Sequence, residues 1–196
     1  TVVFCDLRGF TSFTETTEPE EAMNVLREYH AALGKLIFKY EGTLDRYAGD
    51  GVMILFNAPI PFEDHATRAV KMEMREEIGL LTERWKNRGH SLGFGVGIAL
   101  GYATLGQVGF EHRLEYAAIG SVTNLASRLC DEAKAGQVIV SRRVFGVVEQ
   151  SVDARPIDDL HLKGFNHPVL AMEILRWRGE GVEVVEVEER RRSSAT

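Results

Sequence analysis

The chain has 196 residues, 44% of them hydrophobic and 27% charged, a length and balance that suit one globular domain with its own core and exclude a largely disordered chain. Lys and Arg number 23 against 29 Asp and Glu, a net charge of −6, which is a poor footprint for a general nucleic-acid binder, so no nucleic-acid partner is expected. No apolar run approaches the ~20 residues of a membrane-spanning helix, the first residues form no signal peptide, and Cys5 and Cys130 belong to no CxxC or Cys/His cluster; a reducing, cytoplasmic setting follows.

Thr1-Val2-Val3-Phe4-Cys5 opens the chain as a buried strand. A chain that begins inside a core strand points to an upstream, regulatory segment in the full-length protein. A loop containing Gly9 follows. Thr17-Glu18-Pro19-Glu20 reads as a capped helix start, with Ala22, Val25, Leu26, Tyr29, Leu33, Leu36 and Tyr40 at helical spacing and a stop at Gly42. Residues 43–47 and 51–56 read as two strands joined by a tight turn through Ala48-Gly49-Asp50-Gly51, and 57–61 as a loop. Asp64 is placed to cap a second helix, with Val70, Met74, Ile78, Leu81 and Trp85 along one face.

Strands are predicted at 93–100, 102–108 and 113–119, then a third helix from Ser121 to Ala133 with Val122, Leu125, Ala126, Leu129 and Ala133 on its apolar side. Short strands at 137–140, 157–162 and 168–175 complete a domain over 1–178. The charged tail 179–196, alternating Val with Glu before Arg190-Arg191-Arg192, is expected to be solvated. Cys5, Cys130, Trp85 and Trp177 are read as packing residues, and the six histidines make no metal-ligand spacing.

The order strand, helix, strand, strand, helix, strand predicts an α+β fold with a ferredoxin-like βαββαβ core and additional C-terminal strands. A right-handed crossover sets the first two strands parallel and lets the third lie between them, antiparallel to both. Asp6, ending the first strand, is then brought beside Asp50 in the hairpin turn. Two convergent carboxylates suit a hard divalent cation. Asp6 as a loop cap and Asp50 as a turn former is the alternative reading of the same residues. Backbone amides of the glycine-containing loop Leu7-Arg8-Gly9-Phe10-Thr11-Ser12, ahead of a helical region, are placed to face phosphates.

Three segments together resemble the catalytic domain of class III nucleotidyl cyclases: Phe4-Cys5-Asp6-Leu7-Arg8-Gly9-Phe10-Thr11, Ala48-Gly49-Asp50-Gly51, and the run from Glu115 through Asn124 to Arg128. The resemblance runs in order from the first residue to about Leu175. It implies that Asp6, Asp50 and the carbonyl of Leu7 hold two divalent metal ions, Mg²⁺ or Mn²⁺, which would activate the ribose 3′-hydroxyl and neutralise phosphate charge. It implies that Asn124 orients the ribose and Arg128 stabilises charge on the α-phosphate. These two lie four apart, on one polar helix face. Gly9, Phe10, Thr11 and Lys163, in Leu162-Lys163-Gly164, would bind phosphates. A second phosphate-binding arginine, expected near Tyr102, is absent.

The departures lie at the base-reading pair. Where adenylyl cyclases of this family generally have Lys with Asp or Thr, this chain has Arg46 and Ala117. Arg46 keeps a donor for adenine N1, in a rigid fork; Ala117 offers no side-chain acceptor for the 6-amino group. The guanylyl pattern of Glu with Cys is not present either, and an Arg fork can also donate to guanine O6 and N7. The resemblance to the bacterial adenylyl branch implies ATP as substrate, with GTP, a promiscuous cyclase or a degenerate nucleotide-binding module as alternatives. It also implies a head-to-tail homodimer, with metal aspartates from one protomer and Asn124 and Arg128 from its partner.

Overall fold

The computed structural model describes residues 1–73 and 76–178; Met74 and the tail from Gly179 lie outside the described residues. The chain runs β1 (Val2–Arg8), α1 (Phe10–Thr16), α2 (Pro19–Lys39), β2 (Thr43–Ala48), β3 (Gly51–Leu55), α3 (His65–Glu73), α4 (Glu76–Asn87), β4 (Gly93–Ala99), β5 (Thr104–Phe110), β6 (Arg113–Ile119), α5 (Ser121–Glu132), β7 (Gln137–Ser141), α6 (Arg142–Val148), β8 (Val152–Leu160) and β9 (Val169–Trp177). A seven-stranded sheet has the order β2-β3-β1-β4-β7-β9-β8, and β5 with β6 forms a separate two-stranded hairpin. As the crossover argument requires, β3 lies between β2 and β1 and is antiparallel to both.

Strand alternation sorts the two faces. From β1, Val3, Cys5 and Leu7 enter the larger core, with Val25, Tyr29 and Leu33 of α2, Trp85 of α4 and Val144 of α6. Val2 and Phe4 face the other way, against Val122 and Ala126 of α5. Asp6 and Arg8 continue that second row, so the chemistry-bearing end of β1 shares its face with α5. Cys5 and Cys130 are free and buried. Trp85 is fully buried, 5.6 Å from the Phe94 ring, and its indole N–H donates to Glu28 at 2.8 Å. These side chains pack, as expected.

Several elements differ from the sequence reading. The segment after Gly9 is a short helix, α1, not a loop. Gly9 takes φ 85, and a Cβ there would meet the Ser91 carbonyl at 2.7 Å, so only glycine makes this corner. Thr17 is the C-cap of α1 and not the N-cap of α2: α2 starts at Pro19, with Glu18 in the N-cap place and no side-chain cap bond. Its first turn is set by the proline and by Glu20 and Glu21 instead. Helix α6 went unread because Arg142-Arg143 breaks the apolar pattern; Ser141 caps it, accepting from the Val144 N–H. Strand β8 begins at Val152, five residues before the expected start, because pairing with β9 overrides the Asp, Arg and Pro along it. No helix among the described residues is long and apolar enough to cross a membrane.

Glu73 is the one charged side chain of α3 inside the larger core, at 7% exposure. The Cys5 thiol donates to it at 3.1 Å, yet burial pushes its carboxyl up to about 7. In the unfolded chain it ionises from pH 4.5, while in the folded protein it stays neutral until about 7. Its contribution to stability is therefore full below pH 4.5 and is lost as pH rises through about 7. Glu73→Gln should match the native chain at pH 4.5 and exceed it above pH 7, by about 3 kcal/mol if the whole shift is expressed. Denaturant titrations at the two pH values measure the difference directly.

Candidate active site

Two groups of side chains carry the site. The first sits at the end of β1. Cys5 pairs with Val52, the last β1–β3 partnership, so Asp6 arrives beside the turn that opens β3. A Cβ on Gly51 would lie 3.7 Å from Asp6 Oδ1. Asp50, in that turn, faces Asp6 closely enough for a hydrogen bond between the carboxyls. Burial first, then the charge of Asp6 and that bond, push the Asp50 carboxyl up to about 6; the N–H groups of Asp50 and Leu7 donate to it and pull the other way. A crowded carboxyl pair of this kind is what a divalent cation relieves. Among the described residues no cluster of three or more His, Cys, Asp or Glu forms. Two carboxylates with the Leu7 main chain would form the donor set for such an ion, leaving further oxygen positions to phosphate and water. The residues present fit Mg²⁺ or Mn²⁺.

Gly9, Phe10 and Thr11 follow immediately. Gly9 is the N-cap of α1. The Phe10 side chain packs on the core, 6.0 Å from the Phe13 ring, so of this residue only the main chain is available to a phosphate. Thr11 is exposed.

The second group lines a separate cavity of about 420 Å³, walled by Arg46, Val108, Ala117, Ala118, Ile119, Gly120, Thr123 and Asn124. Neither Asp6 nor Asp50 contributes to it. Residues distant in sequence, Arg46 on β2, Ala117 on β6 and Asn124 on α5, thus meet at one place. Ala117 is 4% exposed and brings no polar side-chain atom. Arg46 is held from behind: its Nε donates to Asp45 Oδ2 at 2.6 Å, and the Asp45 side chain is fully buried. A register shift in β2 between Leu44 and Arg46 leaves Asp45 without a strand partner and turns it inward. Asp45 carries no role in the sequence reading; its signal was an acidic residue directly before the candidate base-reading arginine.

Asn124 is exposed and Arg128 half-buried on α5, with Val122, Ala126 and Leu129 on the buried side. Arg128 Nη1 lies 2.8 Å from Asp131, an exposed i,i+3 pair worth a few tenths of a kcal/mol, so the guanidinium is readily redirected. Lys163 is exposed in the turn after β8, not in a strand end. Its neighbour Leu162 belongs to the same buried cluster as Leu129 of α5 and Ala133 just past its end, so the lysine stands near the Arg128 end of that helix.

The family model described as the adenylate and guanylate cyclase catalytic domain matches residues 1–175. The chain belongs to this family. It is 35% identical over 133 residues to an adenylate cyclase of Anabaena cylindrica, covering 66% of this chain and 26% of that protein. It is 31% identical over 169 residues to adenylate cyclase 1 of Rhizobium meliloti, covering 84% of this chain and 25% of the relative. The chain thus spans about a quarter of the length of these two relatives. Among solved structures, the adenylyl cyclase CyaB from P. aeruginosa superposes with a TM-score of 0.86 at 33% identity, over 92% of this chain and 95% of that one. The guanylyl cyclase Cya2 does so with a TM-score of 0.81 at 31% identity, over 90% and 91%.

The seat of α5 is set by β4. A Cβ on Gly97 would lie 2.2 Å from both the Ala126 carbonyl and the Cys130 nitrogen, backbone atoms that cannot move aside alone. Gly97→Ala should lift α5, destabilise the protein by about 1–3 kcal/mol or more, and disturb Asn124. Denaturant unfolding and nucleotide affinity, measured on the same preparation, should fall together.

Proposed function

We propose that this chain is the catalytic domain of an adenylate cyclase, converting ATP to 3′,5′-cyclic AMP and pyrophosphate. One observation carries the reading: in a chain of this family, the carboxyl pair Asp6–Asp50 and the cavity lined by Arg46 and Asn124 are both present and lie apart. In a head-to-tail homodimer the two half-sites face each other across the interface, the aspartates of one protomer opposite the cavity of its partner. The hairpin supports such a dimer, since Leu105, Val108, Phe110, Leu114, Tyr116 and Ile119 are exposed on it. A lone two-stranded hairpin is marginal in water, and apolar surface of this extent marks an interaction face.

When bound at Asp6, Asp50 and the Leu7 carbonyl, two Mg²⁺ or Mn²⁺ ions supply Lewis acidity toward the 3′-hydroxyl and the phosphates. The chain's own residues do the rest. Arg46, steadied by Asp45, directs donors toward the purine edge. Asn124 fixes the ribose so that its 3′-oxygen faces the α-phosphate. Arg128, released from Asp131, meets the charge that grows on the α-phosphoryl oxygens. Lys163 and the main-chain N–H groups of Gly9 to Thr11 hold the departing pyrophosphate. Among side chains purine choice falls to Arg46, because the buried Ala117 side chain accepts nothing from the adenine 6-amino group and leaves that role to a backbone carbonyl or a water; this favours weak discrimination against GTP as a second reading. The free buried cysteines suit a reducing, cytoplasmic setting.

Purified protein given ATP or GTP, with Mg²⁺ or Mn²⁺, should form cyclic AMP faster than cyclic GMP, and Asp50→Ala should form neither. Comparable cyclic GMP would establish a promiscuous cyclase, and no cyclic product from folded protein would leave a nucleotide-binding module. Mixing Asp50→Ala with Asn124→Ala chains should restore activity through the one intact site of a mixed dimer. Demonstrably mixed dimers that stay inactive would refute shared sites.

A further inference from the structure

Arg8 has no part in the reaction as proposed, yet its guanidinium joins both halves of the site's machinery. It ends β1 two residues after Asp6, and Nη1 lies 2.8 Å from Asp6 Oδ2. On its other side Nε donates to the Ala133 carbonyl at 2.7 Å, and Nη2 donates to the carbonyl of Cys130. Those carbonyls sit at the C-terminal end of α5, Cys130 in its last turn, where it also accepts the Ala133 N–H at 3.0 Å, and Ala133 in the C-cap place; carbonyls there are short of donors and the dipole is negative. The space is built for it. A Cβ on Gly95, the residue paired with Asp6 across β1 and β4, would lie 2.4 Å from Arg8 Nε. A planar fork can serve a carboxylate and two carbonyls at once, which a lysine ammonium on the same strand does not reproduce.

The helix that Arg8 closes is the one bearing Asn124 and Arg128. In the head-to-tail dimer, that helix serves the active site whose aspartates belong to the partner. We infer that Arg8 is a positioning residue that couples the two active sites of the dimer, joining the metal-binding carboxylate of one site to the helix that works in the other. The inference rests on the reading of Asp6 and Asp50 as metal ligands. Asp6 turns Oδ1 toward the turn at Gly51 and Oδ2 toward Arg8, so a divalent cation taken up beside Oδ1 draws on the same carboxylate charge and weakens its hold on Arg8. With the cation bound, Arg8 leans more heavily on the α5 carbonyls, and the last turn of α5 is held differently in the two states. That difference in contacts is what coupling between sites requires.

Hydrogen–deuterium exchange across α5, with and without Mn²⁺ and a 3′-deoxy ATP analogue that cannot cyclise, tests the link without turnover. Mn²⁺ binding is measured in parallel by calorimetry, with Asp50→Ala as the blank. In the native chain, Mn²⁺ should change exchange in the last turn of α5 by roughly threefold or more. In Arg8→Met the response should vanish while Mn²⁺ still binds. Arg8→Lys, which keeps the charge and loses the fork, gives a folded comparison and should respond only in part. Mn²⁺ that binds without altering α5 in the native chain overturns the inference alone, as does a full response in either variant. Absence of any Mn²⁺ binding that Asp50→Ala removes overturns the metal reading and the coupling together.

Discussion

Two carboxylates pressed together at the edge of a hydrophobic core are an unfavourable arrangement, and much of this fold serves to enforce it. Asp6 is fixed by β1, which is clamped between β3 and β4 and buried on its other face by α2. Asp50 is fixed by a tight turn whose strands cannot shift without exposing Val52 and Ile54. Burial first, then the charge of Asp6, raise the Asp50 carboxyl to about 6. A rigid scaffold is needed because either carboxyl, left free, would rotate into water and end the strain. The same rigidity pre-organises the oxygen donors for a cation and avoids ordering them at the moment of binding.

The opposite half of the machinery obeys a different constraint, close approach. Helix α5 lies against β4 only because Gly97 presents no side chain, and Arg8 crosses the sheet only because Gly95 presents none. The glycine alternation in Gly93-Phe94-Gly95-Val96-Gly97 is therefore a packing device: bulky residues fill the larger core, and the bare face receives α5 and the arginine. Asn124 and Arg128 inherit their position from backbone contact rather than from flexible side-chain packing, which suits side chains that must be placed precisely.

Much of this was legible in the residues. The β-branched opening strand, the turn at Gly49-Asp50-Gly51 and the apolar stripe of α5 each follow a strong local rule, and topology then forces Asp6 and Asp50 together. The meeting of Arg46, Ala117 and Asn124 rested on resemblance, since no periodicity links three residues on separate elements. What stayed hidden depended on tertiary context. Helix α1 exists because Gly9 turns left-handed under the Ser91 carbonyl. Strand β8 gains its first five residues from β9. Asp45 turns inward at a bulge that no composition signals. No sequence pattern gives Arg8 a role, because its partners beyond Asp6 lie at the C-terminal end of α5, over a hundred residues later.

The hairpin of β5 and β6 stands apart from the main sheet, and its outward apolar residues have no cover among the described residues. If neither half-site works alone, the rate per molecule rises with the fraction of chains that have found one another. At low abundance the domain would idle, however sound its catalytic groups. Any attached segment that gathers two copies raises their effective concentration and multiplies output without touching a catalytic residue. Spacing and stiffness of such a tether would then set the gain, making proximity itself the control variable.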